Sequence, residues 1–333
     1  MPTLRCTTAE LLSESMPGSL PTFPEGLFAP ADARRFRRVQ VRRFAGMATY
    51  AENLDAPIRV AHLTDLHVGK VTPLQVQEEA VFRTNAEKPD LVVITGDFVC
   101  HSQKYLDELG YIIKGLQAPV ACVLGNHDYW SGGEEVAQTL RGAGAIVLRN
   151  ANTVVQVKHQ RLQLVGLDDA YTGHADRDRA LKGMRHDLPT LGLSHIAEEA
   201  DALWAAGVPL VLSGHTHAGQ ITLARLHELA LGHLVGHRYV HGLYGNRTRQ
   251  QSQDHAGAVY VGAGLGAAVM PFRIGARAQP EITIFELGHA PGSFLEDHEE
   301  QDALPGREVS ERTQFKRMLA VEKKRLKRER NGG

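Results

Sequence analysis

Seven side chains suited to holding a divalent cation stand at the polar ends of apolar runs. They are Asp65 and His67 in TDLH, Asp97 in TGD, Asn126 in GNHD, His195 in LSH, and His215 and His217 in GHTH. Carboxylate, imidazole and amide-carbonyl donors are hard-to-borderline ligands that suit Mn, Fe or Zn, unlike thiolate-rich sites. In extended backbone, residues two apart point to one side, so Asp65 and His67 can meet one ion together. His215 and His217 share that spacing, but a sharp turn there would send them to different ions. Gly96, Gly125 and Gly214 flank these residues and permit close backbone approach. Each motif alone is weak, because a histidine at a strand end is more often a hydrogen-bonded structural residue than a ligand. The order, repeated at strand end after strand end, carries the reading.

The elements that must position these residues are visible as IRVAHLTDLH, DLVVITGD and PVACVLGNHD, with helical stretches near 73–87 and 103–115 between them. Such alternation predicts a parallel sheet covered on both faces, with its chemistry at the C-terminal strand ends. After residue 145 the pattern turns β-rich, through AIVLRN, TVVQVKH, RLQLVGLDD, PLVLSGHTH, AVYVGAGLG and PEITIFELG. The expected fold is α/β, a sandwich of two mixed sheets with outer helices. Residues 1–35 read as an irregular Pro-, Ser- and Thr-rich arm, and 36–44 (FRRVQVRRF) as an edge strand opening a domain over 36–290. Residues 291–333 form a charged tail.

The chain has 333 residues, 43% of them hydrophobic, enough for one large core. A formal net charge of -1 implies no strong electrostatic steering toward nucleic acid. Cys6, Cys100 and Cys122 lie far apart without a CxxC pair, which argues against a zinc ribbon or disulfide scaffold and fits a reducing compartment. No secretory h-region or twin-arginine pattern is seen, and no apolar run reaches the roughly 20 residues of a membrane helix. The expectation is a cytoplasmic protein, with peripheral contact at the inner membrane face through the tail.

The order DxH, GD, GNH, H, GHxH resembles the calcineurin-like metallophosphoesterase superfamily over about residues 58–287. GHTHAGQ with GLGAAVMPFR and PEITIFEL is similar to its bacterial phosphodiesterase branch, which includes cell-envelope enzymes and some UDP-2,3-diacylglucosamine pyrophosphatases. The resemblance implies a four-layer αββα sandwich. It implies two divalent metal ions, manganese first and iron or zinc as alternatives. Asp65, His67 and His217 would hold one and Asn126, His195 and His215 the other, with Asp97 bridging. Such ions, about 3.5–4 Å apart, clamp the attacking and leaving oxygens of an in-line displacement and activate a shared water. His127 would hydrogen-bond the phosphoryl group or protonate the leaving oxygen. Three departures stand out. Cys100 occupies the position three after Asp97, where many members place a carboxylate that orients the GNH histidine, and Asp128 is the candidate to take over that catalytic support. LSHIA stands for LSHNP, and Ala218 for a glycine.

Other features have a structural and a functional reading. Asp168 and Asp169 cap a turn or belong to a branch motif, and His174 and His186 bound a solvated insertion or a loop reaching the site. Arg273 forms an ion pair or binds phosphate. The apolar segment 223–236 is a core helix or a hydrophobic lip. The stretch from Phe315 to Arg330 is a solvated tail or a basic amphipathic helix for anionic membranes. The expected activity is hydrolysis of a phosphodiester or pyrophosphate bond, on a lipid-linked or nucleotide-linked phosphate-ester substrate. The alternatives are a non-catalytic metal-binding scaffold for protein partners and a nuclease. A nuclease would want an aromatic-lined basic groove, and aromatics are only 6% of the chain.

Overall fold

In the computed structural model, described over residues 39–45, 50, 53–219, 236–245, 257–267, 278–288, 301, 303–304 and 306–330, the apolar runs pair into two six-stranded sheets. The arm 1–35, Arg273 and nearly all of the segment 223–236 lie outside the described residues.

The first sheet contains β1 (Gln40–Ala45), β2 (Ile58–Leu63), β3 (Leu91–Thr95), β4 (Val120–Val123), β5 (Ile146–Val147) and the last strand, β12 (Glu281–Leu287), in the order β1-β12-β2-β3-β4-β5. β2 through β5 run parallel, β12 runs antiparallel to β2, and β1 runs parallel to β12 at the edge. The second sheet contains β6 (Ala151–Val157), β7 (Gln160–Gly166), β8 (Thr190–Leu193), β9 (Leu210–Ser213), β10 (Gly242–Gly245) and β11 (Ala258–Val261), in the order β10-β11-β9-β8-β7-β6. Both sheets are mixed, as expected from the sequence.

Strand side chains alternate between two apolar environments, which is why the strands read as continuous hydrophobic runs. Ile58, Val60, Leu91 and Val93 meet Leu162, Leu164, Leu191, Leu210 and Leu212 between the sheets. Ala61, Leu63, Val92 and Ile94 point the other way, onto helices α1 (Leu74–Ala86), α2 (Leu106–Lys114) and α3 (Asn126–Gly142). On the far face of the second sheet, Val165, Val211 and Val259 pack with α4 (Arg177–Leu181) and α5 (Ala200–Ala205) through Ala180, Ala200 and Leu203. The result is the αββα order of layers. A last helix, α6 (Glu311–Arg330), runs for 20 residues and crosses back onto α3.

A buried polar knot ties β12 into the sheet. Glu281 accepts from Tyr260 Oη (2.8 Å) and from the Ala263 N–H (2.9 Å), with His241 and Arg42 beside it. Burial alone would raise this carboxyl, but His241 and Arg42 hold it down at about 2. His62, bonded to Thr95 Oγ1 at 2.8 Å, is pushed down to about 3 by burial, against the pull of Glu281. The unfolded chain therefore binds a proton at His62 between pH 6.5 and about 3 that the folded chain refuses. Stability should be full above pH 6.5 and fall through that window at about 1.4 kcal/mol per pH unit for this one proton. Urea midpoints measured between pH 7.5 and 4.5 check this. In His62→Gln the slope should flatten by about that amount, and an unchanged slope would remove His62 as its source.

Candidate metal centre

The seven candidate ligands follow five strands of the sandwich. Asp65 and His67 follow β2, Asp97 follows β3, and Asn126 opens α3 after β4. His195 follows β8, and His215 and His217 follow β9. All are at C-terminal strand ends, so the facing edges of the two sheets deliver them to one place.

The donors fall into two overlapping groups that share one carboxylate. Asp65, His67, Asp97 and His217 present ligand atoms within 4.8 Å of one another, as do Asp97, His195 and His215. The Asn126 amide oxygen joins the second group, 3.2 Å from His195 Nε2. The shared residue is held in an orientation that suits sharing. Asp97 Oδ1 accepts the N–H of His127 at 2.8 Å, which turns Oδ2 to lie 3.5 Å from His67 Nε2 and 3.4 Å from His195 Nε2.

The protonation pattern identifies the site as cation-seeking. The Thr95 carbonyl, 2.7 Å from His195 Nδ1, can only accept, so Nδ1 carries the proton and Nε2 presents a lone pair. That lone pair faces Asp97, the Asn126 oxygen and, at 3.2 Å, His215 Nδ1. With the oxygens of Asp97 and Asn126 both turned toward it, this nitrogen sits where an added proton or a metal ion is favoured. Burial would lower His195, yet Asp97 and Asp65 raise it to about 10, the measure of the site's demand for positive charge. His67 Nε2 and His217 Nε2 likewise face each other at 3.0 Å. These donors fit divalent metal ions.

Local backbone explains the convergence. Asp65, His67, Asp97, His215 and His217 all have positive φ, between 43° and 74°. Left-handed residues without glycine cost about 1–2 kcal/mol each and collect at functional sites. Asp65 and His67 reach the same group, as expected, but through a coiled turn and not through an extended strand. The same coiling sends His215 and His217 apart, to different groups. Ala218 also lies at φ 49°, which accounts for the glycine common at that position. The Asp65 carboxylate is gripped by Thr64 Oγ1 (2.9 Å) and by the His215 N–H (3.1 Å).

Asp128 departs from the catalytic support expected of it. It is fully buried, and its carboxylate accepts the N–H groups of Asp97, Phe98, Val99 and Gly125 at 2.8–3.2 Å. It shapes the loop carrying Asp97 and does not orient His127, whose buried Nδ1 has no hydrogen-bond partner among the described residues. Edge-on rings hold His127 instead. His101 stands 4.4 Å and Trp130 4.7 Å from it, centroid to centroid. Cys100, at the position where the family resemblance implies a carboxylate, is buried, bonds the His101 ring at 3.2 Å, and falls into a third donor group with His67 and His127. Burial raises its thiol.

Asp169 caps its turn through the Thr172 N–H at 2.7 Å, the structural reading of that motif. Asp168 accepts from Tyr129 Oη (2.6 Å) and Arg149 (3.1 Å), and His174 stacks on Tyr129 at 3.7 Å. Between them Tyr171 reaches the centre, 5.2 Å from the His215 ring. Tyr171 and Trp130 were not singled out from sequence. Trp130 carried a signal, since it lies one helical turn after His127 in GNHDYW.

Comparison with known proteins agrees with this geometry. Residues 58–219 match the family model for calcineurin-like phosphoesterases. The uncharacterized metallophosphoesterase YkuE of Bacillus subtilis is 31% identical over 235 residues, covering 69% of this chain and 78% of that protein. The phosphodiesterase YaeI of Escherichia coli is 28% identical over 249 residues, 72% of this chain and 86% of that protein. An uncharacterized metallophosphoesterase of Helicobacter pylori is 30% identical over 247 residues, 72% of this chain and 62% of that protein. On its ordered motifs, its two-sheet sandwich and these relatives, the chain belongs to the calcineurin-like phosphoesterase family.

Proposed function

We propose that this phosphoester hydrolase cleaves phosphodiester or diphosphate bonds with two divalent metal ions held side by side. Asp65, His67 and His217 would hold one, Asn126, His195 and His215 the other, and Asp97 both, with manganese the first choice. The observation that carries the reading is the Asp97 Oδ2 atom, set between His67 Nε2 at 3.5 Å and His195 Nε2 at 3.4 Å. When bound, such a pair supplies an activated water near neutral pH and neutralises charge on the attacking and leaving oxygens. The name of the Escherichia coli relative, a phosphodiesterase, supports a diester substrate.

The chain's own residues do the rest. Asn126 is a neutral donor and limits the negative charge facing a phosphate. Burial pushes His127 down to about 4, against the pull of Asp97. At neutral pH His127 is therefore uncharged and serves as a hydrogen-bond donor to a phosphoryl oxygen rather than as an imidazolium acid.

A lipid-linked substrate met at a membrane surface is supported by the outward face of α6. Phe315, Leu319 and Leu326 are 60%, 40% and 42% exposed. They sit among Arg312, Lys316, Lys323 and Lys327, a composition suited to an anionic lipid surface.

The test is to strip the protein of metal and reload it with manganese, iron or zinc. Two ions per chain and hydrolysis of a p-nitrophenyl diester are expected. A stoichiometry that never exceeds one ion refutes the paired centre. Protein that ignores anionic vesicles at low salt, and prefers soluble nucleotide diesters to lipid-linked ones, refutes the membrane reading alone.

A further inference from the structure

The C-terminal helix docks with the wrong face for a purely structural element. Its domain-facing stripe is Gln314, Arg317, Val321, Lys324 and Arg328, while the large apolar side chains Phe315, Leu319 and Leu326 point to solvent. A helix docked for stability alone buries its apolar side. Only Val321 of this stripe packs onto the hydrophobic core.

The cations of the stripe meet the rim of the metal centre. Lys324 Nζ lies 4.3 Å from the centre of the Trp130 ring, and Trp130 flanks His127. Arg317 Cζ lies 3.7 Å from the centre of the Tyr171 ring, and Tyr171 flanks His215. The two aromatic rings are themselves in edge contact at 6.0 Å. Arg328 donates to the Trp130 carbonyl at 2.7 Å, and Gln314 donates to the carbonyls of Ala170 and Tyr171 at 3.0 and 3.3 Å. Helix α6 is thus fastened to both rim segments. Among the described residues, neither Arg317 nor Lys324 makes an ion pair.

Two uncompensated cations held by aromatic faces beside a phosphoester site form a receptor for negative charge. We propose that Arg317 and Lys324 recognise a second phosphoryl group of the substrate, one that is not cleaved, and so make α6 a specificity-determining wall of the site. This rests on the phosphoesterase reading and narrows it to substrates carrying an additional phosphate next to the scissile one. Aromatic contact keeps the cations ordered, and the partial burial of this face strengthens their attraction for an anion.

The experiment compares thymidine 5′-(p-nitrophenyl phosphate) with its 3′-phosphorylated form, which share the scissile bond and leaving group. The metal-loaded intact protein should show a KM at least tenfold lower for the form with the extra phosphate. Arg317→Ala and Lys324→Ala should each erase most of that ratio, Lys324→Arg should restore it, and added salt should shrink it. Variants that change KM or kcat equally for both substrates would show that the cations only hold the helix, and the proposal would fall. Calorimetric binding gives a readout independent of turnover. Thymidine 3′,5′-bisphosphate should bind the intact protein about tenfold more tightly than thymidine 5′-monophosphate, and the advantage should vanish in Lys324→Ala. Equal affinities in the intact protein overturn the proposal even if diesters are hydrolysed. Absence of all hydrolysis with the binding preference intact overturns the diesterase reading and leaves the anion receptor standing.

Discussion

Asp97→Asn is expected to lower the rate of diester hydrolysis by about 10³-fold or more, equivalent to some 4 kcal/mol of transition-state stabilisation. The amide keeps the shape of the side chain and can still accept the His127 N–H that now reaches Asp97 Oδ1 at 2.8 Å. What it removes is the negative charge between His67 and His195. Burial would raise the Asp97 carboxyl, but the imidazoles of His195, His127 and His67 hold it well below the usual carboxylate range. Both metal ions should therefore weaken together, which elemental analysis and a metal-dependence curve would register. His127→Ala supplies the contrast. The side chain belongs to neither principal donor group, so metal content should persist while kcat falls by about 10²-fold, the lower end for a positioned proton-handling group. Loss of a metal in His127→Ala would remove this division of roles, as would retention of both metals and full activity in Asp97→Asn.

Gly214→Ala should be nearly as damaging, although it changes no ligand. A Cβ at this position would overlap Thr64 Oγ1 and Asp65 Oδ2, the two atoms whose bond fixes the Asp65 carboxylate. The added methyl must push Asp65 away from His67 and His217. Overpacking of this kind costs about 1–3 kcal/mol, and here it falls on a proposed ligand. The expected result is a lower melting temperature together with loss of roughly half the bound metal and about 10²-fold in activity. A variant that melts lower but keeps its full metal content and rate would show that Asp65 can retreat without leaving its ion.

The strands and the order of candidate ligands at their ends were legible because each candidate follows a short run buried on both faces, as in LVVIT before Gly96 and Asp97. Composition alone imposes that pattern, and a strand end is where such a run must turn polar. The left-handed turns were hidden, since Asp and His adopt positive φ more often than most side chains but still only in a minority of positions. Their strain is sustained by contacts from distant loops, such as Gly264, whose own Cβ would stand 2.7 Å from Asp65 Cβ. The partner of Asp128 was equally hidden. A carboxylate beside a candidate catalytic histidine suggests an acid–base pair in one dimension, whereas in space it answers four backbone N–H groups. The stretch from Phe315 to Arg330 carried its helical composition openly, but nothing in its pattern told which side would face the domain. Its cations answer to Trp130 and Tyr171, which lie far earlier in the chain, and not to its own apolar side.

The placement of β12 bears on how the protein is made. β12 lies between β1 and β2, pairing with both. During synthesis β1 and β2 leave the ribosome early, while the strand that joins them emerges only after most of the chain. At about 5–20 residues per second the wait is on the order of ten seconds or more. Throughout it, the edge of β2 carries unpaired backbone groups along the row that Thr283–Leu287 will later occupy, and Ile58 and Val60 lack part of their cover. The nascent chain thus presents a strand-shaped gap that any extended apolar segment could fill. Correct maturation then depends on keeping that gap open until β12 itself arrives to pair with both neighbours.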